Sequence, residues 1–359
     1  GSLVSFATSA LVKDLNNYVS TSIGAVSPVG SRAALVAPNF GEDLVTVTTN
    51  GAAGAFEGVV LTGPDPEFDR TRTAAITPDG SRAAAVGIVS DSLAVFDTAT
   101  GSIISRARTG QRPGGVGLTA DGSKAVVANL DDFFTTIHNV TTNTTATVPI
   151  GRRAGLALIS PDGQFAYLPV IADGDGVHRI NLTTLAQEGP KLLTGNMGSV
   201  AYAYSPVSGV TLSPDGSVLV TCNSFDNSLT FIDTASWSVV KTLAVGTFPT
   251  YAAFSPDGGT LYVSNSNAST NADTVSVVSV AGAASAVVAT IGVGNAPWII
   301  EVGPTRAYVL NTQTNNTVSV IDRSSNTVTQ VVPLPELGIG MRLDAAAGRL
   351  YVASGESTT

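Results

Sequence analysis

The stretch Val210-Thr211-Leu212-Ser213-Pro214-Asp215-Gly216-Ser217-Val218-Leu219-Val220 decides the fold. Two short apolar runs flank a turn in which each residue has a task. Pro presets φ, Asp bonds the backbone two residues on, and Gly takes the positive φ that β-branched residues refuse. The stretch reads as a β-hairpin. A third run follows, Leu229-Thr230-Phe231-Ile232-Asp233, and then a fourth, Ser238-Val239-Val240-Lys241. Four short strands bounded by turn chemistry, with no helical period among them, make a four-stranded antiparallel sheet.

The same punctuation recurs along the chain. It appears as Ser27-Pro28-Val29-Gly30, Thr77-Pro78-Asp79-Gly80, Thr119-Ala120-Asp121-Gly122, Ser160-Pro161-Asp162-Gly163 and Ser255-Pro256-Asp257-Gly258, with degenerate copies at Gly303-Pro304-Thr305 and from Asp344 to Gly348. Gly30 to Gly348 is 318 residues over seven intervals, about 45 per repeat, the blade length of a propeller. An isolated four-stranded sheet leaves two faces and two edges bare, so such units stack radially. The expected fold is therefore an all-β propeller of four-stranded antiparallel blades. Complete quartets start near Thr21, Thr73, Gly114, Ala154, Ser208, Thr250 and Pro297. The last repeat, Gly338 to Ser354, supplies two strands, and the runs Leu3 to Thr8 and Leu11 to Val19 supply two more. Their pairing gives an eighth blade and closes the ring; without the N-terminal strands the count is seven. No linker or composition shift divides the chain, so residues 1–359 read as a single domain, with Gly1-Ser2 the remnant of a cleaved tag.

Leu261-Tyr262-Val263-Ser264-Asn265, Val318-Ser319-Val320-Ile321-Asp322 and Ile291-Gly292-Val293-Gly294 running to Pro297 resemble the YVTN-type β-propeller repeat family. The resemblance covers nearly the whole chain and implies the ring architecture. On activity it implies little, because relatives include cell-surface and periplasmic proteins and, more distantly, lactonase-like enzymes. One departure falls at Val86-Gly87-Ile88, where the family's Val-Asn pair would stand.

Composition narrows the function. The 359 residues carry 18 Lys+Arg against 27 Asp+Glu, a net charge of −9, which argues against nucleic acid as a partner because phosphate neutralisation needs a basic surplus. No window approaches 18 uninterrupted apolar residues, so no transmembrane segment is expected. The single cysteine, Cys222, excludes a disulfide framework. Few Lys beside many Thr and Asn residues point to an extracellular or periplasmic compartment, with any leader trimmed.

Two ends of each blade are available for function. The Pro-Asp-Gly turns and the third-to-fourth-strand turns share one face. The connections between blades and the second-to-third-strand loops share the other, and their varied lengths place the site there. Aligning the innermost strands puts Arg70, Arg112 and Arg153 at one equivalent position in successive blades, where other blades have Ser20, Pro206, Phe248, Ala296 and Leu337. Three guanidinium groups at one opening suit a carboxylate, sulfate or phosphate. Arg72, Arg152 and Arg342 lie nearby in sequence. The competing expectation is that each Arg pairs with a loop carboxylate such as Asp91, Asp131, Asp132 or Asp175. Tyr251 and Trp298 are candidate ring-stacking walls, with Phe133, Phe225 and Phe248 on the same face; packing between blades is the alternative. Asn129, Asn223, Asn265 and Asn311 end the second strand in four repeats and are expected to bond loop backbone rather than ligand, with Asn129 and Asn223 also candidate ligand contacts.

Asp173-Gly174-Asp175-Gly176 offers oxygen ligands for calcium without the spacing of an EF-hand loop; no other cofactor is expected. His138 and His178 fall on third strands, and His178, beside that acidic loop, is the candidate general base. No Gly-x-Ser-x-Gly elbow or phosphate loop is present, and Cys222 sits in an apolar strand. Two functions fit. One is a secreted binding propeller whose Arg arc holds an acidic small molecule, glycan or protein segment. The other is an enzyme in the same funnel, a lactone hydrolase, lyase or cyclase, with Arg stabilising negative charge.

Overall fold

The computed structural model describes residues 71–355 apart from 152–153, 172–173, 198–208, 267–272, 314–315, 336 and 346–347. It gives the backbone alone at 71–72, 339 and 353–355 and in the strands Ser2–Ser5, Ala10–Asp14, Ser22–Val26, Arg32–Val36, Leu44–Thr49 and Phe56–Thr62. The described residues are strands joined by turns, with two 3₁₀ turns at Ser224–Asp226 and Gly282–Ala284. Seven antiparallel sheets follow one another along the chain, at 22–62, 71–108, 113–149, 158–193, 210–244, 249–292 and 297–333. Each runs in sequence order from its first strand to its fourth, and the fourth sheet has a fifth short strand, Leu192–Leu193, against Gly176–Asn181. Two strand pairs remain, Ser2–Ser5 with Ala10–Asp14 and Leu337–Asp344 with Arg349–Gly355. The quartets read from sequence are these sheets.

The hairpins form for the expected reason. Gly80, Gly122, Gly163, Gly216 and Gly258 all have φ between +66° and +77°. The Ser or Thr that opens each turn donates its hydroxyl to the Asp two residues on, as Thr77 does to Asp79 and Ser213 to Asp215 at 2.6 Å. That hydroxyl bond, with the backbone N–H after the Gly, holds Asp79, Asp121, Asp162, Asp215 and Asp257 below the usual carboxylate range. At the other turn of the same end, Asp97, Asp233 and Asp322 accept N–H groups two to three residues on. The Thr98 and Thr234 hydroxyls donate to the carbonyls of Gly80 and Gly216, which ties the two turns of a sheet together.

By proximity the chain falls into two compact units. One comprises Gly1–Ala172, His178–Pro190 and Arg342–Thr359, the other Asp173–Val177 and Lys191–Met341. Within the first, the second and third sheets pack face to face through Val86, Leu93, Val95, Val116 and Val127, and the third and fourth through Val126, Ile137, Ile150, Leu168 and Ile180. Their innermost strands come so close that a Cβ on Gly117 would lie 2.5 Å from the Ala157 carbonyl, so only glycine fits. Within the second unit, Leu229, Phe231, Phe254 and Val263 join the fifth sheet to the sixth, and Tyr262, Val277, Ile300 and Val309 join the sixth to the seventh. Burying each such side chain contributes about 1.5–3 kcal/mol. Ser2–Ser5 lies beside Arg349–Gly355 in the first unit.

Candidate functional site

At the end opposite the Pro-Asp-Gly turn, the connections entering the third, fifth, sixth and seventh sheets are fastened by a repeated clamp. Its key residue is an Asp or Asn immediately before the third strand of the preceding sheet. Asp91 accepts the Arg112 N–H on Oδ1 at 2.8 Å and the Thr109 N–H on its carbonyl at 2.8 Å. Asn227 holds Phe248 N–H at 2.8 Å and Val245 N–H at 3.0 Å, and Asp273 holds Ala296 N–H at 2.8 Å and Val293 N–H at 3.2 Å. Arg112, Phe248 and Ala296 are left-handed, with φ of +49°, +54° and +49°, a conformation that non-glycine residues keep only where the surroundings over-determine it. Their carbonyls accept the N–H of Leu130, Ser266 and Thr312. The equivalence of these three positions, read from alignment, is thus a shared backbone geometry.

This clamp also revises two expectations about carboxylates. Asp91 binds the backbone of Arg112, not its guanidinium. Asp175 accepts Met197 N–H on Oδ2 at 2.6 Å and Thr194 N–H on its carbonyl at 3.0 Å, the same task as in the other clamps. Asp173 lies outside the described residues. Among the described residues no three His, Cys, Asp or Glu side chains converge on a point. In the third sheet the clamp position is Phe133, whose carbonyl receives Ile150 N–H at 2.9 Å.

Of the three aligned arginines, Arg112 is the one that lies among the described residues. Its side chain is 53% exposed and its Nη1 lies 3.1 Å from Asp131 Oδ2, itself 42% exposed, so the expected pairing with a loop carboxylate is present. Asp132 accepts the Gln111 N–H beside it. Arg70, Arg152 and Arg153 lie outside the described residues, and Arg72 is described by backbone alone. Arg342 is the sixth residue of Leu337–Asp344, about 16 Å along an extended strand from Leu337.

The second-strand asparagines are structural. Asn129, Asn223, Asn265 and Asn311 are buried, and each donates Nδ2 to a hydroxyl of the third strand: Thr136 at 3.1 Å, Thr230 at 2.9 Å, Ser276 at 2.9 Å and Ser319 at 3.0 Å. Their partners are mainly hydroxyls rather than the loop backbone expected; the Phe134 carbonyl, bonded to Asn129, is the exception. A glycine of each incoming connection, Gly110, Gly195, Gly246 or Gly294, rests on the carboxamide with no room for a Cβ.

Tyr251 is half-buried on Pro249–Phe254 and packs on the cluster between the sixth and seventh sheets, while Trp298 is half-buried on Pro297–Val302. Among the described residues the exposed aromatic of this unit is Phe225, which meets Phe248 edge-on with centroids 5.4 Å apart. His178 is 8% exposed on the third strand of the fourth sheet. His138 is enclosed as well: its Nε2 lies 2.6 Å from the Ser105 hydroxyl, and burial pushes its pKa down. Cys222 is fully buried, its thiol pushed up to about 12.

No family model matches the chain. A curated relative, an uncharacterized WD repeat-containing protein of Synechocystis sp., is 32% identical over 145 residues, which span 39% of this chain and 38% of that protein. Among solved structures, a β-propeller domain from Myceliophteria thermophila superposes with a TM-score of 0.57 at 11% identity, over 79% of this chain and 96% of that one. The fold is a β-propeller. The propeller matches the dihydro-heme d1 dehydrogenase NirN in complex with DHE more fully still, with a TM-score of 0.72 at 14% identity, over 96% of this chain and 75% of that one. The hydrazine synthase of Kuenenia stuttgartiensis matches with a TM-score of 0.61 at 18% identity, over 79% and 92%. The four-stranded sheets are its blades, and among the described residues no helix is long and apolar enough to cross a membrane.

Proposed function

We propose that this propeller is an extracytoplasmic binding module that holds an acidic small molecule, glycan or protein segment on the face of its clamped connections. The observation that carries the reading is Arg112. Its backbone is fixed from both sides, its guanidinium is half in solvent, and that guanidinium already grips a carboxylate, Asp131, at 3.1 Å. A planar fork that holds one carboxylate can exchange it for another, and a rigid scaffold loses little entropy in doing so. In this reading Arg70 and Arg153 extend the anchor on neighbouring blades of one eight-bladed ring. The N-terminal strands close that ring against Leu337–Asp344 and Arg349–Gly355, and the contact of Ser2–Ser5 with Arg349–Gly355 supports the closure. The dihydro-heme d1 dehydrogenase NirN, solved in complex with DHE, shares this fold.

Calorimetric titration with sulfate and with citrate tests the reading. Binding is expected to weaken at least tenfold in Arg112→Ala, to recover in part in Arg112→Lys, and to fall as ionic strength rises. Equal affinity in wild type and Arg112→Ala would remove the anchor.

A further inference from the structure

The connection into the third blade has a feature that the anchor alone does not require. Arg112 is left-handed at φ +49°, and Asp91, which holds it, is left-handed as well at φ +48°. Asp91 uses both ends of itself. Its side chain accepts Arg112 N–H at 2.8 Å, and its carbonyl accepts Thr109 N–H at 2.8 Å, three residues earlier in the same connection. From the other side, Leu130 N–H reaches the Arg112 carbonyl at 3.0 Å, and Asp131 N–H reaches the Gln111 carbonyl at 3.3 Å. The Arg112 backbone is therefore gripped by the loop before it and the loop after it, and only the side-chain torsions remain free. The Asp91 carboxylate bonds the peptide of Arg112, while the guanidinium goes to Asp131.

We propose that Asp91 is a positioning residue for the Arg112 anchor: it fixes where the guanidinium emerges and so sets affinity for a carboxylate, sulfate or phosphate without touching the ligand. The inference rests on the reading of Arg112 as an anion anchor. The molecule supplies its own controls. Asn227 makes the same bond to Phe248 N–H at 2.8 Å with a neutral acceptor, so the clamp needs an oxygen and not a charge. Asp273 makes it to Ala296 N–H at 2.8 Å, where there is no long side chain to aim.

The test is citrate and sulfate titration of wild type, Arg112→Ala, Asp91→Ala, Asp91→Asn and Asp273→Ala, each with its melting temperature. Asp91→Ala is expected to weaken binding about fivefold or more, and Asp91→Asn to restore it to within about twofold of wild type. Asp273→Ala is expected to lower the melting temperature as Asp91→Ala does and to leave affinity unchanged. Asp91→Glu, which keeps the charge and displaces the acceptor, is expected to bind as weakly as Asp91→Ala and serves in its place if that variant does not fold. Weak binding by Arg112→Ala beside unchanged binding by Asp91→Ala or Asp91→Glu overturns the positioning role alone. Equal weakening by Asp273→Ala also overturns it, since the effect is then one of general stability. Unchanged binding by Arg112→Ala overturns the anchor and the positioning role together.

Discussion

The connection entering the third blade and the connection entering the sixth share a backbone and differ in what it carries. Both turn through a left-handed residue, both have its N–H held by the residue that precedes a third strand, and both lay a glycine on a buried asparagine. In the third blade the left-handed residue is Arg112, whose guanidinium reaches forward to Asp131 in its own blade. In the sixth it is Phe248, whose ring packs back on Phe225 of the fifth. Repetition fixes the peptide and leaves the side chain free, so one scaffold position becomes a charged anchor in one blade and an apolar contact in another.

The largest effects are expected where the two connections are alike. Gly110→Ala and Gly246→Ala each force a Cβ to within 2.5 Å of a neighbour, Asp132 Oδ2 in the first case and Asn265 Cγ in the second. Both should lose about 1–3 kcal/mol by urea unfolding. A loss confined to one of them would mean that the shared backbone is less shared than its geometry. Next comes Phe248→Ala, which removes the edge-on contact with Phe225 and should lose about 1 kcal/mol in the same assay.

Acid should act on both regions through their turns. Asp121 in the third blade and Asp257 in the sixth have carboxyl pKa values lowered chiefly by the Thr119 and Ser255 hydroxyls. A depressed folded pKa contributes stability above the unfolded value near 4 and loses it as pH falls through the folded one. The melting temperature should therefore drop as pH falls below the unfolded value, and Asp121→Asn with Asp257→Asn should flatten that drop. The smallest expected change in stability is in Arg112→Ala, whose exposed ion pair contributes at most about 1 kcal/mol. A larger loss there would assign the arginine to structure rather than to ligand.

The hairpins were legible in the sequence because Pro-Asp-Gly dictates local torsions, and Gly80 through Gly258 adopt them. Equivalence of Arg112, Phe248 and Ala296 was legible for the same reason, since counting from a fixed turn locates a backbone position; in the fifth blade the count led to Pro206, whereas the clamped residue is Met197. Partners at a distance were not. Asp91 and Asp175 look like spare carboxylates until the fold brings Arg112 and Met197 N–H groups to them, and only their recurrence just ahead of a third strand could have given them away. The asparagines misled in a similar way: hydroxyls five to eleven residues downstream, such as Thr136 and Ser276, are now seen to hold them.

The central claim is that arginines distant in sequence come together at one opening. Spin labels at Arg70→Cys and Arg153→Cys measure it most directly, because the native thiol of Cys222 is buried and held protonated by that burial. Two blades at roughly 10 Å per packed sheet predict a label separation near 20 Å. A separation beyond about 35 Å, which no two neighbouring sheet spacings can span, would contradict it.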